Sequence, residues 1–392
     1  MGIRGAISSP RSRRHGIGSR TMGDCDVAVI GGGLVGGAVA FGLARLGRRV
    51  ALLDEGDLAY RAARGNFALI WAQSKGLGLP EYGAWTARSA AAWPAFAAAL
   101  HEVSGIDPGL HQPGGFHLLL GEGEYLRRGE LLARLHNQPG MPEGGYRMVG
   151  REELAKLLPD IGPDVVGASY GPRDGQCNSL RLFRALHLAL GRLGGAYLPA
   201  HGVQALRFRG GSFEIEASGR TIGAGQVVLA AGLGNAKLAP LVGLEAPVRP
   251  QRGQIVVTRR TARFLDHPTT TIRQTDEGGV MLGDSVEEAG FDNAVTLGPI
   301  SAIARRAVRI FPRLGALPIA RSWAALRVMS PDGFPIYQQS ATCPGAFLAT
   351  CHSGVTLAAA HALHLAPAIA AGRLPPELAV FGAERFHVSA AA

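Results

Sequence analysis

The pattern of apolar and polar residues near the start of the chain predicts a strand, a helix and a second strand. Apolar, partly β-branched residues fill 27–30 and 50–53, and each run is too short for a helix. The small and apolar residues of 34–46 are typical of a buried helix. Asp54 and Glu55 follow the second strand. We therefore expect a β-α-β unit here.

The glycines of this unit have the spacing G-x-G-x-x-G, at Gly31, Gly33 and Gly36. The first allows a tight turn, the second lets a pyrophosphate approach the backbone, and the third lets the helix lie close to the strand. Leu34 and Val35 open the helix, where free N–H groups and the helix dipole favour an anion. The motif predicts dinucleotide binding, and an ordinary glycine-rich turn is the alternative.

The acidic pair after the second strand completes this motif. Asp54 follows the glycines by about 20 residues, the position from which a carboxylate accepts a hydrogen bond from a ribose 2′-OH. We expect Asp54 and Glu55 to contact the cofactor, and an acid here disfavours NADP. The next loop is basic and amide-bearing, and its candidate cofactor contacts are Arg61, Arg64, Gly65 and Asn66. A solvated loop is the alternative.

The rest of the chain alternates between helical and strand patterns. Helices are predicted at 81–103, 122–136, 151–158, 179–193 and 299–311, and in a last helix that ends near 371. Pro94 should kink the first of these or begin a new helix. Strands are predicted at 114–120, 203–208, 213–217, 227–231, 251–258, 269–274, 279–283 and 347–350. We expect the strand at 114–120 and the three between 251 and 283 to form a second, mostly antiparallel sheet.

Charge and cysteine usage exclude several classes of protein. Five arginines precede the first acidic residue, Asp24, so half of the formal net charge of +10 lies in the first 23 residues. That arm has no apolar segment, which argues against a secretory signal, and we expect it to be disordered. The alternative is a nucleic-acid-linked role for the arm, although we expect no nucleic-acid partner. The four cysteines have no C-x-x-C spacing, which favours reduced thiols, no metal site and a cytoplasmic location, with peripheral association with the inner membrane left open.

Four motifs in this order resemble the D-amino acid oxidase superfamily of FAD-dependent oxidoreductases. They are the glycine motif, VVLAAG at 227–232, WAALRVMSPDGFPIY at 323–337 and CHSGVTLA at 351–358. The segments at 63–76, 250–254 and 271–278 resemble one branch, which includes the C subunit of hydrogen cyanide synthase, the B subunit of opine oxidase and D-hydroxyproline dehydrogenase. The resemblance implies an α/β fold in which a Rossmann-like FAD-binding domain (24–82, 150–247, 322–392) is interleaved with an α+β substrate domain (83–149, 248–321).

The resemblance also implies roles for individual residues. Arg327 would bind the substrate carboxylate, since a guanidinium matches a carboxylate with two parallel donors; a structural pair with Asp332 is the alternative. The turn from His352 would lie at the flavin pyrimidine end, where His352 either contacts flavin or substrate or merely packs. Further cofactor contacts implied are Val203, Ala231, Gly232, Arg327, Ser353, Gly354, Val355 and Thr356. No cysteine lies between Cys177 and Cys343, so we expect non-covalent FAD.

The function implied is oxidation of the C–N bond of an amino acid to the imine, by hydride transfer to flavin N5. The expected substrate is a cyclic or N-substituted amino acid such as D-hydroxyproline or D-proline. Alternatively, the chain is the flavoprotein subunit of a hetero-oligomer of the opine oxidase or hydrogen cyanide synthase type. The partner could then be a ferredoxin-like or flavoprotein subunit or a quinone acceptor, and a homo-oligomer is also open.

Overall fold

A computed structural model describes residues 22–56, 62–142 and 145–387. The predicted arm and Arg61 lie outside these ranges, apart from the backbone of residues 22–23. The strands are β1 (Met22–Ile30), β2 (Val50–Leu53), β3 (Leu69–Ile70), β4 (Gly115–Leu120), β5 (Arg147–Gly150), β6 (Val165–Gly171), β7 (Gly175–Gln176), β8 (Ala196–Leu198), β9 (Val203–Arg209), β10 (Ser212–Ala217), β11 (Arg220–Leu229), β12 (Arg249–Thr258), β13 (Ile272–Gln274), β14 (Val280–Leu282), β15 (Ile319–Met329), β16 (Ile336–Gln339) and β17 (Ala346–Thr350). The helices are α1 (Leu34–Arg45), α2 (Ala62–Gly65), α3 (Pro80–Ser104), α4 (Glu122–His136), α5 (Arg151–Leu157), α6 (Ser179–Arg192), α7 (Asn235–Leu238), α8 (Leu297–Ile310), α9 (Ala358–Ala360) and α10 (Ala366–Ala370), with a π-helical turn at His361–Leu365 between the last two.

The large sheet has the strand order β16-β17-β11-β1-β2-β8. The strands from β17 to β8 are parallel, β16 is antiparallel to β17, and the hairpin of β9 and β10 joins β11. The strands β2 and β17 and the end of β1 at 27–30 are buried, because helices cover a parallel sheet on its faces. The predicted β-α-β unit and the mixed α/β class are confirmed, and the predicted strand at 227–231 is the end of β11.

Two antiparallel sheets stand where one was expected. One has the order β13-β14-β12-β15, and the other has the order β4-β6-β5. A single parallel bridge between Phe116 and Thr269 connects them. The prediction that the strand at 114–120 joins the others in one sheet was therefore wrong, because β6 takes it as a partner. The proposed domain boundaries stay a prediction. The boundary at 150 separates β6 from β4 and β5, and the boundary at 322 separates most of β15 from β12.

Pro94 does not begin a new helix, because α3 continues through it. Proline has no N–H, so the carbonyl of Ala90, four residues earlier, loses its helical donor. The side-chain amide of Gln112 replaces that donor, with its Nε2 at 3.0 Å from the Ala90 oxygen. An orphaned backbone acceptor is thus satisfied from a neighbouring loop.

Within the described ranges, no helix combines the length and the hydropathy needed to cross a membrane.

A buried carboxyl group fixes the loop at 71–76, which leads from β3 towards α3. Asp174 is fully buried and accepts hydrogen bonds from the backbone N–H groups of Ala72 (2.5 Å) and Gln73 (3.2 Å) and from the Gln73 side chain (2.7 Å). Arg128 donates to the Gln73 side-chain oxygen and to Ser74. Burial raises the pKa of Asp174 to about 7, against the effect of the backbone donors and Gln73.

This raised pKa predicts a pH-dependent stability. The folded chain binds the Asp174 proton more tightly than the unfolded chain, in which the ordinary pKa of 3.8 applies. The resulting stabilisation is complete below about pH 4 and is lost as the pH rises through 7. The melting temperature of the wild type should therefore fall between pH 5 and pH 8 more than that of Asp174→Asn. Asp160→Asn, at an exposed pair with Arg313, should keep the wild-type slope; equal slopes for the wild type and Asp174→Asn would contradict the assignment.

Candidate active site

A cleft of about 1020 Å³ lies at the carboxyl ends of the parallel strands. Its walls include the segments that directly follow β1, β2, β11 and β17, together with residues 62–64 and 66–69. Leu326 and Val328 of β15, in the sheet β13-β14-β12-β15, also line it. Ligands bind in this position in open α/β sheets, because strand ends and helix N-termini meet there. The cleft therefore lies where the glycine motif predicted a dinucleotide.

The glycine turn is packed so tightly that side chains are excluded at two positions. A Cβ at Gly31, which has φ +110°, would lie 2.4 Å from the carbonyl oxygen of Ala230. A Cβ at Gly36 would lie 1.9 Å from the carbonyl oxygen of Gly31. The helix α1 can therefore approach β1 and β11 closely, and no side chain caps its N-terminus. Its first N–H groups face the start of the cleft without an intrahelical acceptor.

Gly33 differs from these two glycines because the protein itself does not require it. Its φ of −71° and ψ of −169° suit residues with side chains. A Cβ there would meet only the Ala63 side chain, at an ordinary 3.6 Å. The space that a side chain would fill opens into the cleft beside Leu34 and Val35. This free cradle at an uncapped helix N-terminus fits the pyrophosphate of FAD.

Asp54 lines the cleft and is oriented by the backbone. Its two carboxylate oxygens accept from the N–H groups of Gly32 (2.8 Å) and Gly56 (3.0 Å). His187, which sequence reasoning missed, donates through Nε2 to the Gly32 carbonyl (2.8 Å) and stacks on Tyr197. Tyr197 also lines the cleft. Each carboxylate oxygen keeps a lone pair for a further donor, which fits the predicted hydrogen bond to a ribose.

Most of the predicted cofactor contacts line this one cleft. Those that do are Gly31, Gly33, Leu34, Val35, Asp54, Glu55, Arg64, Asn66, Val203, Ala231, Gly232, Ser353, Gly354, Val355 and Thr356, as well as the predicted catalytic residue His352. Gly36, Gly65 and Arg327 are not among the lining residues. Gly65 instead packs under β15, where a Cβ would lie 2.4 Å from that of Ala325 and where its carbonyl accepts from Trp323 Nε1. The individual roles stay predictions.

Arg327 does not itself line the cleft, but it is paired with an acidic residue that does, and the sequence did not predict this pair. Its Nη2 is paired with Asp284, a cleft-lining residue, and its Nη1 donates to the Arg252 carbonyl at 3.1 Å. The guanidinium lies over Gly253, where a Cβ would come within 2.4 Å of it. The expected alternative, a pair between Arg327 and Asp332, was wrong. Asp332 pairs with Arg385, at 2.8 Å.

The motif at 250–254 holds the loop that carries Asp284. The buried Arg252 pairs with Glu287 (2.8 Å) and Asp292 (2.7 Å), and its backbone N–H and C=O both bond to Glu287. Gln254 donates to Glu287 and to the Thr296 hydroxyl. The loop at 284–296 is therefore fixed to β12 at several points, and Phe291 and Asn293 from it line the cleft.

The turn at 351–356 forms another part of the wall. Desolvation by the surrounding chain lowers the pKa of His352, and the positive charges of Lys75 and Arg327 add to this, so the neutral imidazole is favoured; the side chain itself is exposed to the open cleft. Ser353 Oγ lies 2.9 Å from the Tyr82 hydroxyl and 3.2 Å from Lys75 Nζ. Thr356 Oγ1 accepts from the Trp71 N–H and donates to a backbone carbonyl, which ties the turn to the loop at 71–76. Burial also raises the pKa of the Cys351 thiol to about 12.

Lys75 is a further cleft residue to which the sequence assigned no role. It is one of only three lysines among the 40 lysine and arginine residues of the chain, and it lies in the segment 63–76 that resembles the family branch. That rarity was the available signal. Asp284 carried no such signal, because its pairing with Arg327 joins positions 43 residues apart.

The sequence and the fold are both similar to those of known proteins. The family model described as DAO, FAD dependent oxidoreductase, matches residues 26–368. The chain is 46% identical to the B subunit of opine oxidase from Agrobacterium tumefaciens (strain Ach5) and 43% identical to the same subunit from Rhizobium meliloti, in each case over 94% of this chain and all of the relative. It is also similar to the crystal structure of glycine oxidase from Geobacillus kaustophilus, with 26% identity, a TM-score of 0.81, and coverage of 92% of this chain and 98% of that one.

These similarities confirm the family, the fold and the cofactor that the motifs predicted. The match to the family spans both the glycine turn and the turn at 351–356. The free cradle at Gly33 supplies a structural reason for the same cofactor. The chain therefore belongs to the DAO family of FAD-dependent oxidoreductases.

Proposed function

We propose that this chain is the FAD-binding subunit of an enzyme that oxidises the C–N bond of an opine-type secondary amino acid to the imine. The observation that carries the proposal is the full-length identity of 46% to a protein named as the B subunit of opine oxidase. An opine is a secondary amine whose nitrogen joins two carboxylate-bearing carbons. The predicted D-hydroxyproline or D-proline shares the secondary amine, but no relative described above is named for either substrate.

Arg327 is proposed to bind the substrate carboxylate in place of Asp284. Two of its five N–H donors serve Asp284 and the Arg252 carbonyl, so three remain. Asp284 is bonded to the guanidinium through Nη2 alone, whereas a substrate carboxylate could accept from two of its N–H groups in parallel. The exchange would bring the guanidinium charge to the substrate without leaving it unpaired.

The other residues of the cleft wall are proposed to orient the substrate and to exclude water, and none of them is proposed to accept a proton. The chemistry that bound FAD would supply is acceptance of the C–H hydrogen, with its electron pair, as a hydride. A neutral His352 leaves the amine lone pair free to assist, because no imidazolium competes for it. The turn at 351–356, fixed by Tyr82 and Trp71, would keep the C–H bond aligned.

The first prediction concerns FAD binding. Gly33→Val should abolish flavin retention, because the side chain fills a cradle that the fold leaves empty. The purified variant should lack the absorbance at 450 nm of the yellow wild type, with an unchanged far-ultraviolet circular dichroism spectrum. Gly129→Val, on α4 with open space around it, is the matched control and should stay yellow. Acid precipitation of the wild type should release the flavin, as expected for non-covalent FAD.

A yellow Gly33→Val variant would contradict the proposed pyrophosphate site. A wild type that neither contains nor takes up FAD would contradict the whole proposal.

The second prediction concerns Arg327. Arg327→Ala should raise KM for carboxylate-bearing amines by about 30-fold, which corresponds to about 2 kcal/mol for a lost charged hydrogen bond. Asp284→Asn should lower KM instead, since the substrate no longer competes with a side-chain carboxylate. Steady-state kinetics would measure both. Arg321→Ala, at an exposed position of the same strand, should leave KM unchanged; an unchanged KM in Arg327→Ala would refute the role of Arg327.

The third prediction separates a stand-alone enzyme from one that needs a partner. Without oxygen, the purified chain should lose its flavin colour within seconds on addition of an N-carboxyalkyl amino acid. Glycine, sarcosine, D-proline and D-hydroxyproline should reduce it more slowly. Turnover with an artificial acceptor should be low for the chain alone and should rise in a complex isolated from its native host. Full turnover by the chain alone would remove the need for a partner, and fastest reduction by D-hydroxyproline would replace the proposed substrate.

A further inference from the structure

Lys75 places a positive charge in the cleft for which the surrounding protein provides little compensation. Its Nζ donates to Ser353 Oγ at 3.2 Å and lies 5.8 Å from the centre of the Tyr82 ring. Within residues 22–56, 62–142 and 145–387, no carboxylate lies within 4.0 Å of this ammonium, and Ser353 is its one hydrogen-bond acceptor. Two of its three N–H donors therefore remain for a ligand. A partly buried ammonium with unused donors is stabilised when an anion binds to it.

The backbone on both sides of Lys75 is fixed before any ligand arrives. The Lys75 N–H donates to the Ala72 carbonyl, and Ala72 and Gln73 are held by the buried Asp174. On the other side, the Gly76 carbonyl accepts from the side chain of Gln138. Because the loop is already fixed, binding of an anion to the ammonium orders only the Lys75 side chain and costs no further backbone freedom.

The Lys75 ammonium faces the same part of the cleft as the residues proposed for the substrate. Its hydrogen-bond partner, Ser353, follows His352, whose ring nitrogen Nδ1 lies 3.5 Å from the Ser353 hydroxyl. His352 is also close enough to Arg327 for that charge to lower its pKa. The two cations thus approach His352 from different elements, the loop at 71–76 and β15. Arg327 already has Asp284 as a partner, whereas Lys75 has no acid within the described ranges.

We infer that Lys75 is a second anion-binding residue of the substrate site and binds the carboxylate on the far substituent of the amine. This inference rests on the proposed function, and it assigns to Lys75 the second of the two carboxylates that such a secondary amine carries. One carboxylate would be bound by Arg327 and the other by Lys75, and the C–N bond would lie between them. A substrate with a single carboxylate would leave the ammonium without its anion.

Two inert ligands test this without any turnover. Oxydiacetate has two carboxylates joined through an ether oxygen, and methoxyacetate has the same ether with only one. Each is titrated into the FAD-loaded protein, and the perturbation of the flavin absorption spectrum gives the dissociation constant. Wild type should bind oxydiacetate about tenfold or more tightly than methoxyacetate, the scale of one charge-assisted hydrogen bond.

The variants assign the difference to one residue. Lys75→Met should reduce the ratio of the two dissociation constants to about twofold or less, with methoxyacetate binding unchanged, because only the second charged bond is lost. Lys75→Arg should keep most of the ratio. Lys156→Met, at an exposed pair with Glu152 on α5, removes the same charge elsewhere and should behave as wild type.

Several outcomes would overturn the inference. The first is a wild-type ratio near one, which needs no variant and stands even if Lys75→Met fails to retain flavin. Another is a ratio that survives in Lys75→Met. A third is equal weakening of both ligands together with a lower flavin reduction potential, which would assign Lys75 to the cofactor instead.

Kinetics separate this inference from the proposed function. Sarcosine and iminodiacetate share the reacting CH₂–NH unit but have one and two carboxylates. If both reduce the flavin with similar KM, the inference fails and amine oxidation stands. If no amine reduces the flavin, the proposed function itself fails.

Discussion

The close approach of α1 to the ends of β1 and β11 is the constraint on which the rest of the site depends. The distance of 1.9 Å from a hypothetical Cβ of Gly36 to the Gly31 oxygen shows that this approach is possible only without side chains. It brings uncapped amides to the edge of the sheet, where an anion can reach them. The same turn carries the free cradle at Gly33 and the Gly32 N–H that donates to Asp54.

The opposite wall of the cleft is rigid for a different reason. Here, hydrogen bonds and ion pairs between distant segments replace close backbone packing. Arg252 and Gln254 fix the loop at 284–296, and Asp174 with Arg128 fixes the loop at 71–76. Paired polar groups of this kind favour one arrangement of the segments that they join, although the Nε of Arg252 has no partner among the described residues. One wall of the cleft is thus held by close backbone packing at glycines, and the other is held by hydrogen bonds and ion pairs between side chains.

Local pattern sufficed for the elements whose sequence period and turn residues agree, such as the β-α-β unit and α6. It failed where partners are distant in the chain. The pairing of β4 with β6 depends on strands some 50 residues apart, and no local signal distinguishes it from pairing with β14. The same limit applies to the site, where the motif residues were predicted but the pairing of Asp284 with Arg327 was not. It applies also to α3, where the bond from Gln112 to the Ala90 carbonyl joins two distant segments.

The loop at 284–296 divides its tasks between different side chains. Glu287, Asp292 and Thr296 anchor it to β12, while Phe291 and Asn293 line the cleft. Because the anchors and the ligand-facing positions do not coincide, substitutions at 291 and 293 alter the shape of the cleft without loosening its frame. Related enzymes could therefore diverge in substrate range through this loop while retaining a common thermal stability, and directed evolution could follow the same route.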